Sequence, residues 1–136
     1  ALDYEKGMCI FTQKCVWING PFPAGCSDLK VFCQGLKEKM LASRAGGVSH
    51  RGIADKGHRG EAELLSIPSS QDIALVRDFK GRVLSRHETF NGRMKNFDCL
   101  EDRFRHRDLI KHKWCFHAVA VIVQLQLEHG SPLFEV

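Results

Sequence analysis

Two carboxylates stand apart from the chain's other acidic residues because of what surrounds them. Asp55 ends the short apolar step Gly52-Ile53-Ala54 and is followed at once by Lys56-Gly57-His58-Arg59-Gly60. A strand end opening into a loop is where α/β folds gather their sites, since rigid backbone there presents side chains at an open edge. The same position also suits a loop aspartate or a helix cap. Glu88 falls in an expected helix, one residue past the stripe position His87, and shares that helix with Arg82, Arg86, Arg93 and Lys95. It borders the buried face, and from its place on the helix alone a surface ion pair with a neighbouring arginine is the plainer account. Two carboxylates that meet can hold Mg²⁺ or Mn²⁺, hard cations that take oxygen ligands. A pair of such ions about 4 Å apart can activate a nucleophile and stabilise the leaving oxygen in phosphoryl transfer.

The cations have their own pattern. From Arg77 to Lys113 there are eleven Lys and Arg against six Asp and Glu, a larger surplus than the net charge of +4 carried by all 136 residues. Arg103, Arg105, Arg107, Lys111 and Lys113 cluster there with Phe104, His106, His112 and Trp114 nearby. Such a stretch can track a DNA backbone through salt-dependent phosphate contacts, or it can be a solvated connector. His106, His112, Cys115 and His117 lack the paired spacing of a zinc finger, so zinc is not the metal expected.

The elements that must position these groups follow from periodicity. Gly7-Met8-Cys9-Ile10-Phe11 and Cys15-Val16-Trp17-Ile18 flank the polar Thr12-Gln13-Lys14 and read as a hairpin. Residues 19–25 are rich in Gly and Pro and read as a loop. Ser27 or Asp28 can cap a helix whose apolar positions are Leu29, Phe32, Cys33, Leu36 and Met40. Residues 43–52 make a small, Gly-rich connection before the strand ending at Asp55. Glu61 to Leu65 suggests one turn of helix. From Ile73 to Phe97 a single helical stripe runs through Val76, Phe79, Val83, His87, Phe90, Met94 and Phe97, weakened at Gly81. After a charged segment over 98–113, Trp114 to Leu127 is apolar nearly all round and reads as a buried core helix. Its fourteen residues fall short of the roughly 20 needed to span a bilayer, so no membrane partner is expected.

The composition, 43% hydrophobic and 26% charged, is that of one globular domain. The six cysteines include no Cys-x-x-Cys pair, and Cys9, Cys33 and Cys115 lie in apolar stretches. This favours reduced thiols and an intracellular protein. The first residues are too polar for a secretory signal.

Several collinear segments together resemble one family. Residues 52–61 resemble the segment carrying the second acidic residue of DDE-type transposases of the Harbinger-like group, with His58 where the family usually has Tyr. Residues 86–97 resemble that family's helix bearing the third acid. Residues 17–25 with Asp28, residues 104–106 and residues 116–124 are similar to further family segments. The resemblance implies a ribonuclease H-like fold, a central mixed sheet flanked by helices. It implies Asp55 and Glu88 as catalytic metal ligands for Mg²⁺ or Mn²⁺, with Asp28 as an accessory acid. It also implies a DNA partner, hence a nuclear location, with Lys56, Arg86 and Arg93 as phosphate or structural contacts and the cations of 103–113 along the DNA backbone, and it leaves room for a homo-oligomer. The family's first acid lies on a strand before the hairpin, whereas this sequence begins at Ala1. An N-terminally incomplete core with weak or no activity is therefore expected. A degenerate or domesticated remnant that only binds DNA or protein is the alternative, and a fragment that does not fold stably is a third.

Overall fold

The computed structural model describes residues 2–101 and 108–136. It is mixed α/β, and its elements divide into two compact units, one built from residues 2–24 with Ser85–Val136 and the other from Gly25–Leu84.

The first unit opens with a hairpin, as expected, but its first strand lies earlier than the run over residues 7–11. β1 (Leu2–Met8) pairs antiparallel with β2 (Cys15–Pro23) from Leu2↔Pro23 to Met8↔Cys15, and Cys9, Ile10 and the exposed Phe11 belong to the turn. The turn closes through Cys9 N–H to Lys14 O (2.8 Å) and Gln13 N–H to Cys9 O (3.0 Å), with Gln13 at a positive φ of 60°. β2 continues through Pro23, where the Gly and Pro content had suggested a loop from Asn19. Gly20 makes the extension possible: its φ is +145°, and a Cβ there would sit 2.7 Å from the Tyr4 ring.

Helix α3 (Ala74–Lys95) runs unbroken through Gly81, and its second half packs in this unit with α4 (Asp98–Glu101) and α5 (Leu109–Glu128). Asp108 caps α5, accepting a 2.9 Å hydrogen bond from Ile110 N–H. Phe90, Met94, Phe116, Val119, Ala120, Val123, Leu127 and Leu133 form the core, with Tyr4 and Ile18 laid against it. The Tyr4 ring stacks on Phe116 at 3.7 Å between centroids.

Two sequence expectations are corrected here. α5 begins five residues earlier than Trp114, and it is two-faced rather than buried all round. His112, Phe116, Val119, Val123 and Leu127 face the core, whereas Ile110, Trp114, Val121 and Leu125 are exposed. On α3 the residue that fills the buried step is Arg86, at 5% exposure, and not His87.

The second unit carries α1 (Asp28–Gln34) and α2 (Leu36–Ala45), two helices where the stripe had suggested one. The break is at Gly35 (φ −137°, ψ −91°), a conformation outside the helical region that ends one helix and starts the next. Ser27 caps α1 by accepting from Lys30 N–H at 3.2 Å. β3 (Gly52–Ile53) pairs in parallel with β4 (Leu65–Ser66), a strand the sequence reading missed. Residues 61–64 form a turn, closed by Leu65 N–H to Glu61 O at 2.8 Å, that feeds β4 and does not continue as helix. Phe32, Met40, Ala54, Leu64 and Leu65 make a smaller core. Polar ties supplement it: Lys37 to Glu61 at 2.6 Å, Lys80 to Asp72 at 3.0 Å, and Arg44 and Arg51 to the carbonyls of Glu63 and Ala62.

Among the described residues the strands therefore form two separate two-stranded sheets, one antiparallel and one parallel, where the resemblance implies one central sheet. No helix described is long and apolar enough to cross a membrane.

Candidate metal centre

Asp55 lies where the sequence places it, at the end of β3. Ala54 before it is buried, and its N–H reaches Ser66 O at 3.0 Å, so the backbone entering the site is fixed by the parallel pair. Asp55 itself is exposed and caps a 3₁₀ turn over Lys56–His58. Its Oδ1 accepts from Gly57 N–H at 3.0 Å and lies 3.0 Å from His58 Nδ1.

Asp28 arrives from the first turn of α1, which packs against this turn. Ligand atoms of Asp28, Asp55 and His58 all lie within 4.8 Å of one another. Phe32, one turn along α1 from Asp28 and almost fully buried, meets the His58 ring edge-on at 6.3 Å between centroids. A buried core residue thus holds the imidazole of a partly exposed cluster.

Gly57 is what lets the two carboxylates come together. A Cβ at that position would stand 2.6 Å from Asp28 Oδ2 and 3.2 Å from Asp55 Oδ1. The first is too close for a carbon and a carboxylate oxygen and the second is tight, so a side chain here would have to displace the Asp28 carboxylate from its place beside Asp55. Two carboxylates and one imidazole suit a divalent cation: the oxygens match Mg²⁺ or Mn²⁺, and the nitrogen tilts the set toward transition ions, so toward Mn²⁺ of that pair.

Lys56, the expected phosphate contact, is exposed and lines a shallow cleft of about 640 Å³ with Arg59, Ser69, Ser70 and Arg77. Three cations and two hydroxyls at one depression match the donors that hold a phosphodiester backbone. Arg59 and Arg77 were not singled out from the sequence. Arg59 stands in the same short loop as Lys56, and Arg77 opens the basic stretch, so the signal was present.

Glu88 is exposed on α3 in the first unit. Its charge is felt by Lys6, whose ammonium burial pushes down while Cys15 and, more weakly, Glu88 act to raise it. The two arginines near Glu88 are engaged elsewhere. Arg86 donates to Ile10 O at 2.6 Å and ties α3 to the end of the hairpin. Its burial leaves little surface for a phosphate, and of the two roles expected for it, phosphate or structural contact, the observed hydrogen bond is structural. Arg93 donates to the carbonyls of Ser131 and Pro132 and anchors the C-terminal segment. Lys111 and Lys113 are exposed near the start of α5. Arg103, Arg105 and Arg107 lie outside the described residues.

His58, which in the sequence stands out only as a departure from the family's tyrosine, enters the site through its position beside Asp55 and Asp28. Comparisons with protein-family models, with curated proteins and with solved structures find no match to this chain.

Proposed function

We propose that the chain derives from the ribonuclease H-like core of a DDE-type nuclease or transposase and acts on DNA with a divalent metal ion. The observation that carries this reading is the convergence of Asp28, Asp55 and His58. These residues come from a helix start and a strand end 27 positions apart, and they meet over a glycine that leaves room between the carboxylates. Asp28 and Asp55 are also the positions that the resemblance gives to an accessory acid and the second acid.

In this reading Asp28, Asp55 and His58 hold the ion, which supplies positive charge to the non-bridging oxygens of a phosphodiester. Lys56, Arg59 and Arg77 hold the backbone phosphates, while Glu88 keeps the third-acid role that the resemblance implies. Two carboxylates at the cluster are a sparse set for two ions, so cleavage is expected to be weak. The same sparseness favours a second reading, a remnant that binds metal and DNA without cutting.

Mn²⁺ titration by calorimetry and nicking of supercoiled plasmid separate the two. Asp55→Asn and Asp28→Asn should each weaken Mn²⁺ binding at least tenfold, the cost typical of losing a charged ligand. Nicking that Asp55→Asn and Glu88→Gln abolish supports the enzyme. Mn²⁺ binding without nicking supports the remnant. Wild-type protein that binds no Mn²⁺, or nicking that both variants retain, would overturn the site.

A further inference from the structure

The outward face of α5 is not accounted for by any of this chemistry. Trp114, Val121 and Leu125 are 67%, 59% and 49% exposed on the side of the helix opposite the core residues Phe116, Val119 and Val123. Ala118 lies exposed among them. A continuous apolar stripe on a folded surface marks a place where something docks.

The spacing says what kind of partner fits. Lys111, Trp114, Ala118, Val121, Leu125 and Glu128 follow one another at intervals of three, four, three, four and three. This is the seam repeat of helices that wrap around each other. The apolar positions occupy the middle of the seam, with a cation at one end and an anion at the other, about 25 Å apart along the axis. A second copy laid parallel would set Lys111 on Lys111 and Glu128 on Glu128. Laid antiparallel, Lys111 faces the partner copy's glutamate, Trp114 faces its leucine and Ala118 faces its valine, and every pair recurs by two-fold symmetry.

The charges therefore select one orientation, and the small Ala118 near the middle allows the helices to approach. A shallow groove of about 180 Å³ beside the stripe, lined by Cys15, Ile18, His117, Val121 and Leu125, lies where the partner copy's tryptophan would arrive. Within one copy Glu128 accepts from Gln124 Nε2 at 3.1 Å and pairs with Lys14 at 3.9 Å, so the partner copy's lysine would join an existing ion pair and its contribution is modest.

We infer that α5 is a self-association surface and that the protein forms an antiparallel two-fold dimer through the seam from Lys111 to Glu128. This inference does not rest on the metal site. One helix pair makes a small interface, so dissociation is expected at micromolar concentration or above.

Sedimentation equilibrium of the full chain under reducing conditions, over a wide concentration series, tests it. The wild type should show a reversible monomer–dimer equilibrium. Trp114→Ser and Leu125→Ser should each weaken it by about 30-fold or more, with far-UV circular dichroism unchanged because both side chains are exposed. Lys111→Glu and Glu128→Lys should each weaken it by about 3- to 10-fold, and the double variant should recover wild-type affinity. A wild type that stays monomeric throughout overturns the inference. So does a dimer that survives both serine variants in folded form. Single charge variants that dimerise as well as wild type would overturn the antiparallel seam.

Discussion

The two units of this chain are stabilised in different ways, and the difference tracks where chemistry can sit. The unit containing the hairpin and α5 has a continuous apolar core, in which Phe90 and Val123 are fully buried and Tyr4 is stacked on Phe116. The unit from Gly25 to Leu84 has five buried core residues, and it relies more on ion pairs and side-chain-to-carbonyl ties. The candidate metal-ligand cluster and the cationic cleft both belong to the second. A thin core with a polar surface can bring carboxylates together at an exposed edge, where ions and phosphates can reach them. The thicker core fixes a helix whose outer face is free for another protein surface.

The sharpest way to separate the units is through their cores. Phe90→Ala should cost about 3–5 kcal/mol in urea unfolding. Residue-resolved hydrogen exchange should place the loss in β1, β2 and α5 while Mn²⁺ binding persists. Equal loss of protection across residues 52–66 would mean that the units do not draw on separate cores. Phe32→Ala should do the reverse, weakening Mn²⁺ binding because it removes the ring that meets His58.

Gly57→Ala is the next largest effect. The new methyl enters the gap between Asp28 and Asp55, so Mn²⁺ affinity should fall roughly tenfold or more, with little change in melting temperature at this exposed turn. Unchanged affinity would show that the carboxylates need not stay close.

A smaller effect is expected from pH. His112 is buried against Tyr4, whose hydroxyl lies 2.6 Å from Nδ1, and burial pushes the imidazole below its usual pKa near 6.5. The unfolded chain therefore takes up this proton first. Stability should decline as pH falls below about 6.5 and level off once the folded form is also protonated. His112→Gln should flatten that part of the curve, and a slope identical to wild type would assign it to other groups.

The smallest expected effect is a rate difference between thiols. Hydrogen bonds from Thr12 lower the Cys9 thiol, whereas burial and its neighbour Cys99 push Cys115 up to about 11. Alkylation by iodoacetamide near neutral pH, followed by peptide mass spectrometry, should modify Cys9 well before Cys115.

Much of this architecture is legible from residue patterns. The hairpin, the cap at Ser27, the strand end at Asp55 and the long helix through Gly81 all follow from local periodicity and turn chemistry, which act over a few residues. What escaped has a physical reason in each case. β4 is only Leu65 and Ser66, too short to show alternation. Arg86 carries a charge and so reads as surface, yet it is buried and donates to the carbonyl of Ile10. The exposed face of α5 looks like core because apolar composition does not say which face is covered. The meeting of Asp28 with Asp55 and His58 depends on how α1 packs against the turn, a long-range outcome that no local pattern carries.

The clasp at the C-terminal segment has a consequence for how the chain is made. Leu133 is buried in the first unit's core, its N–H bonds Gln13 Oε1 at 3.0 Å, and Arg93 holds the two carbonyls before it. The hairpin is thus synthesised well before the C-terminal residues that help hold it, and its set of partners is complete only once Leu133 has been made. A lone two-stranded hairpin is marginal in water. Residues 25–84 form one contiguous stretch and can settle while synthesis continues. Order of synthesis and order of folding are therefore opposed for these two units: the hairpin precedes residues 25–84 along the chain and follows them in finding its place.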